Sequence, residues 1–159
     1  MLKRDSGAAD KEKGRGEASV RILLVEDSLA VRRANESALV NAGYEVICVE
    51  DGESALRAVQ EHTPDLILLD MILPKMSGPD VLRHLKSEAK TASIPVVVLS
   101  GLTEKNRQKL MDEGAEEYIE KNTLMPAPGI NLLPKMLENI VCRINHKRKG
   151  ELPSVPTQE

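Results

Sequence analysis

The feature that most restricts the fold of this chain is an alternation, five times over, of short apolar runs with amphipathic stretches. The runs are VRILLVE (20–26), EVICV (45–49), DLILLD (65–70), IPVVVLS (94–100) and EEYIE (116–120). Each has strand length and is rich in Val, Ile, Leu or other strand formers. The segments between them have helical spacing. Residues 28–42 carry Leu29, Val31, Ala34, Ala38 and Leu39, and Gly43 offers a left-handed stop. Residues 51–62 place Ala55, Leu56 and Val59 at helical intervals. A third helix is expected near Gly78, with Pro79 at its first position. Thr103 can cap a fourth that ends at Gly114. After NTLMPAPGI (122–130), Asn131 can cap a fifth, with Pro134 in its tolerant first turn and an apolar stripe of Leu133, Met136, Leu137, Ile140, Val141 and Ile144.

Strands that alternate with helices predict an α/β domain: a doubly wound, five-stranded parallel sheet with helices on both faces. The unbroken apolar stretches at 66–69 and 96–99 suit strands buried on both sides. An eight-stranded barrel needs about 250 residues, so 159 favour the open sheet with the flavodoxin-like strand order 2-1-3-4-5.

Composition removes several function classes. The 22 basic and 25 acidic residues nearly balance, so there is no concentrated basic surface for nucleic acid. The chain has no Trp and no Phe, only Tyr44 and Tyr118, which leaves a Val/Ile/Leu/Met/Ala core and no stacking platform for single strands. Cys48 and Cys142 lack metal-ligand spacing and are expected as reduced residues near the core. No run approaches the roughly 18 apolar residues of a membrane span, and residues 1–18 have no apolar region of the kind a signal peptide requires. A cytoplasmic protein with no membrane association is the expectation. Residues 1–18 read as a disordered leader, 19–146 as the domain, and 147–159 as a flexible basic, proline-containing tail.

One acid, Asp70, ends an apolar run. It could be a packing accident, or it could sit where a strand leaves the core and opens a site. In open α/β sheets, ligands bind beyond the carboxyl ends of the strands. Under the 2-1-3-4-5 order, Glu26 and Asp27 at the end of the first strand converge there with Asp70. Ser100 ends the fourth strand and Lys121 follows the fifth. Three carboxylates so close would repel one another unless a cation intervened. Mg²⁺, with its preference for oxygen ligands, answers that repulsion, and Lys121 adds a second positive charge. A carboxylate between two cations is well placed to attack phosphorus. No GxxxxGK[ST] loop is present, so P-loop nucleotide hydrolysis does not fit. Haloacid-dehalogenase phosphatases need a second Asp two residues after the first, where this chain has Ile72.

These residues resemble the receiver domain of two-component response regulators. The likeness rests on LLVEDS (23–28), Asp51–Gly52, LILLDMILPKMSG (66–78), PVVVLSG (95–101) and GAEEYIEK (114–121). It implies a phosphoacceptor at Asp70, served by a sensor histidine kinase or phosphotransfer protein. It also implies Mg²⁺ on Glu26, Asp27, Asp70 and the backbone carbonyl of Ile72. Ser100 would answer the phosphoryl group, Tyr118 would be the aromatic switch, and Lys121 would contact the acceptor. Pro74 and Gly78 would shape the loop after Asp70. Ile72 and Leu102, both aliphatic, would flank the path of a hydrolytic water. Receivers usually follow this lysine with proline, but here Asn122 follows it. Either a trans peptide or a strained turn is therefore expected.

On this reading the chain is not an enzyme beyond accepting and slowly losing its phosphoryl group. The few residues after the receiver are too short for an output domain, so signalling would pass through contacts with a downstream protein, and the likeness also allows a homodimer. The alternative is a phosphorylation-independent docking or adaptor protein on the same fold. His62, His84 and His146 have no partner at ligand spacing and read as surface helix residues. Met71, Met76 and Met125 read as packing or loop residues, and HKRK (146–149) as a complement to the negative end of the last helix.

Overall fold

The computed structural model describes residues 19–101 and 106–150. Five parallel strands form one sheet: β1 (Arg21–Val25), β2 (Glu45–Val49), β3 (Leu66–Asp70), β4 (Val96–Ser100) and β5 (Glu117–Glu120). Their order is β2-β1-β3-β4-β5, as expected. The helices are α1 (Leu29–Asn41), α2 (Gly52–His62), α3 (Gly78–Ser87), α4 (Arg107–Asp112) and α5 (Leu133–Arg148). A short 3₁₀ turn, Lys121–Thr123, follows β5.

Every residue of β3 and β4 is buried, because helices cover both faces of the sheet. Successive side chains point to opposite faces, and the core divides accordingly. Leu23, Val25, Ile67, Leu69, Val96, Val98 and Tyr118 pack with residues of α2, α3 and α4. Ile22, Leu24, Leu66, Leu68, Val97, Leu99 and Ile119 pack with Leu39 of α1 and with Leu133, Leu137, Ile140 and Val141 of α5. Each such Leu or Ile contributes roughly 1.5–3 kcal/mol of burial.

Local chemistry sets the helix ends. Ser28 Oγ accepts from Val31 N, Asp51 Oδ1 from Ser54 N and Ser77 Oγ from Asp80 N at the starts of α1, α2 and α3. After α1 the chain turns at Gly43, φ +98°, the left-handed stop expected there. The expected Thr103 cap lies outside the described residues, and α4 begins at Arg107. The cap position of α5 is Leu132, which offers no side-chain bond; the expected capping residue, Asn131, stands one position earlier, where its Oδ1 accepts from Leu133 N at 2.9 Å.

Four expectations need correction. The inward face of α1 is centred on Asn35 and Leu39, whereas Leu29 is 51% exposed and Ala34 is exposed. The stripe on α5 omits Met136, which faces solvent. The last helix runs on to Arg148, past the expected domain end at residue 146. Arg148 pairs with Asp65, and the basic last turn complements the helix dipole. Finally, both cysteines are free, but only Cys48 is partly buried, since Cys142 lies on the exposed side of α5.

Candidate functional site

Strand register builds the site. Val25 is level with Leu69, so the next residues, Glu26 and Asp70, leave the sheet side by side. Asp70 is level with Leu99 on its other flank, which puts Ser100 one step further out and level with Glu120, and Lys121 follows. Glu26, Asp70 and Ser100 are buried, at 1%, 4% and 1% exposure. Asp27 is exposed. Carboxylate oxygens of Glu26, Asp27 and Asp70 all lie within 4.8 Å of one another.

The Lys121 ammonium bridges the two buried acids. Its Nζ donates to Asp70 Oδ2 at 2.7 Å and to Glu26 Oε1 at 2.5 Å. The other oxygen of Asp70 accepts from Ile72 N at 3.2 Å, and Glu26 Oε2 accepts from Ser28 N at 3.3 Å. Burial, followed by the contact with Asp70, pushes the Glu26 carboxyl up to about 7, against the opposing pull of Lys121. Burial alone would lower the Lys121 ammonium, but its hydrogen bonds to Asp70 and Glu26 outweigh burial and hold it above its ordinary value. Three carboxyl groups thus share one lysine.

The loop after β3 is fixed by close packing. A Cβ on Gly78 would stand 2.4 Å from the Asp70 carbonyl oxygen, and one on Gly52 would stand 2.2 Å from the Met76 carbonyl oxygen. Both positions require glycine because backbone, which cannot swing aside, fills the space. Lys75 adopts φ +66°, and its Nζ lies 3.7 Å from Asp51 Oδ2. Ile72 turns its side chain to solvent, at 65% exposure. Among the described residues no peptide is cis, so Lys121–Asn122 is trans and continues into the 3₁₀ turn.

Of the described residues expected from sequence, Glu26, Asp27, Asp70, Ile72, Ser100 and Lys121 therefore fall at one rim. Tyr118 stands apart from that rim, buried in the core cluster of Val98, Leu110 and Ala115. Leu102 lies outside the described residues. Two further features of the described residues were not read from sequence. Arg32 donates to the Glu26 carbonyl at 2.8 Å, a link between α1 and the end of β1 that no spacing motif announces. Asn35 sits four residues from both Val31 and Leu39, so its inward position was readable as a polar gap in the helical stripe.

The site is thus defined by acids at the ends of β1 and β3 and a lysine after β5 of a doubly wound parallel sheet. Residues 22–127 match the family model of the response regulator receiver domain, and the chain belongs to that family. It is 40% identical over 123 residues to the gliding motility regulatory protein of Myxococcus xanthus, covering 76% of this chain and 15% of that protein. It is 41% identical over 102 residues to the phosphate regulon transcriptional regulatory protein PhoB of Escherichia coli, covering 64% of this chain and 44% of PhoB. The chain thus spans less than half the length of these relatives. Among solved structures, the receiver domain of the sensor histidine kinase PA1611 of Pseudomonas aeruginosa, with magnesium coordinated in its active-site cleft, superposes with a TM-score of 0.64 at 27% identity. That match covers 79% of this chain and 97% of the other. No helix among the described residues is long and apolar enough to cross a membrane.

Proposed function

We propose that this receiver accepts a phosphoryl group on Asp70 from the phosphohistidine of a sensor kinase or phosphotransfer protein, and signals through protein contacts. One observation carries this reading: a buried carboxylate at the end of β3, bonded at 2.7 Å to an ammonium and grouped with two further acids. An Asp70 oxygen forms the bond to phosphorus as the phosphorus–nitrogen bond breaks and the imidazole leaves. Lys121, already on Asp70, is placed to neutralise charge on the incoming phosphoryl oxygens. Ile72 N donates to the other Asp70 oxygen and helps to hold the carboxylate in place. Ser100, beside Asp70 at the end of β4, supplies a hydroxyl that can bond the phosphoryl group afterwards. Tyr118 is the proposed switch residue that carries the change to the surface.

The donor set fits Mg²⁺, since three carboxylates within 4.8 Å offer only hard oxygen ligands. Glu26, Asp27 and Asp70, with the backbone carbonyl of Ile72, would hold it. When bound, it would supply charge neutralisation on the phosphoryl group. The magnesium in the PA1611 receiver supports the same assignment here.

Incubation with acetyl phosphate and Mg²⁺ tests the reading. Wild type should gain one phosphoryl group that hydroxylamine removes. Chelation of the metal, Asp70→Asn and Asp27→Ala should each suppress the gain. Labelling that persists in Asp70→Asn, or that ignores chelation, would sink the assignment, and a chain that never labels would favour the docking-protein alternative.

A further inference from the structure

Helix α1 turns an asparagine into the core. Asn35 is 0% exposed, on the side of α1 that packs against α5. Its Oδ1 accepts from Asn131 Nδ2 at 2.9 Å, across 96 residues of sequence. The Oδ1 of the same Asn131 accepts from Leu133 N, at the first residue of α5. The next residue closes a loop: Leu132 N donates to the Leu124 carbonyl at 2.8 Å. Leu124 is buried, and its own N donates to the Lys121 carbonyl at 3.2 Å. A short run of hydrogen bonds and covalent links therefore leads from Asn35 to the backbone of the lysine that holds Asp70.

Two further observations give that path a purpose. Lys121 is followed by Asn122, so no pyrrolidine ring restricts the turn that aims it. In addition, Asn35 Nδ2 is buried with no hydrogen-bond partner. An unpaired buried donor destabilises a fold, and an apolar residue at position 35 would remove that penalty.

We infer that the Asn35–Asn131 pair is a latch that fixes the 124–132 loop against α1 and so aims Lys121 at Asp70 and Glu26. Both asparagines are positioning residues, and the inference rests on the phosphoacceptor reading for its effect on the reaction. The unpaired Nδ2 also makes the latch reversible in sense. If Asn131 becomes a carboxylate, the Asn35 amide can rotate and donate to it.

The full chain, labelled with isotopic lysine, tests the latch as wild type, Asn35→Leu, Asn131→Ala and Asn131→Asp. Asn35→Leu should melt at or above the wild-type temperature, yet shift and broaden the Lys121 ammonium resonance. Its phosphorylation by acetyl phosphate should slow on the order of tenfold, as misplacement of a charge-stabilising group does. Asn131→Ala should behave likewise, and Asn131→Asp should restore both readouts. An unchanged Lys121 resonance in Asn35→Leu and Asn131→Ala overturns the latch. So does an altered resonance with an unaltered rate, or a loss that tracks melting temperature with no rescue by Asn131→Asp. Should Asn35→Leu fail to fold, Asn131→Ala, at a half-buried position, decides. If wild type itself takes up no phosphate, the phosphoacceptor reading fails, while the Lys121 resonance still decides the latch.

Discussion

Asp70 and Ile72 stand two residues apart in opposite surroundings. Asp70 is 4% exposed and bonded to Lys121, whereas Ile72 lends only its backbone to the site and leaves its side chain 65% in solvent. An aspartyl phosphate is lost when water attacks in line with the bond from Asp70 to phosphorus. A polar side chain on that approach can orient the water, and an aliphatic one can only crowd it. On the proposed reading of Asp70 as acceptor, the resemblance gives Ile72 and Leu102 that flanking role, and the phosphorylated state should be long-lived. Replacing both (Ile72→Asn with Leu102→Glu) should speed the loss of label by roughly tenfold, about 1.4 kcal/mol of barrier, once donor is removed. A double variant that loses label no faster than wild type would show that these side chains do not govern the lifetime.

At the scale of elements, the start of α2 matters more to the site than its distance from Asp70 suggests. Asp51 caps that helix through Ser54 N at 2.7 Å, and Gly52 presses against the Met76 carbonyl of the loop that follows Asp70. Asp51→Ala should cost about 1 kcal/mol in denaturant unfolding. The cost should depend on pH in a defined direction. The hydrogen bond from Ser54 N holds the Asp51 carboxyl below its ordinary value. Its contribution is thus complete above the unfolded-state pKa of about 3.9 and is lost as pH falls through the lower folded value. The stability gap between wild type and variant should stay level from neutral pH down to about 5 and then narrow through about 4 and below. A gap that stays level throughout the acid range would mean the cap acts without its charge.

Strands were more legible than helices, for a physical reason. β3 and β4 are covered on both faces, so burial writes itself as an unbroken apolar run. A helix records burial only as a stripe, and stripes tolerate exceptions. Leu29 at the solvent-facing start of α1 and Met136 on α5 matched the period yet stay exposed, while Asn35 broke the pattern and is fully buried. The end of α5 was read short because basic residues suit both a tail and a last helical turn. The carboxylate cluster was legible because strand ends locate residues to within one position. The Lys121–Asp70 contact was reached through the resemblance, whereas the Lys121–Glu26 bond and the Asn35–Asn131 pair were not read, since contacts across 95 and 96 residues depend on side-chain reach that no local pattern encodes.

For the molecule as a whole, sheet order, register and charge meet at one residue. The order β2-β1-β3-β4-β5 puts β1 and β4 on either side of β3, so Asp70 receives acids from one flank and a hydroxyl from the other. The fold thus centres its charged groups on the carboxylate of Asp70, the proposed nucleophile. The most direct test is to locate the modified residue itself. After reaction with acetyl phosphate and Mg²⁺, borohydride reduction converts an aspartyl phosphate to homoserine, and peptide sequencing by mass spectrometry finds the converted position. Conversion at Asp70 alone is the expected result, and conversion at Glu26, Asp27 or any other acid, with Asp70 intact, would contradict it.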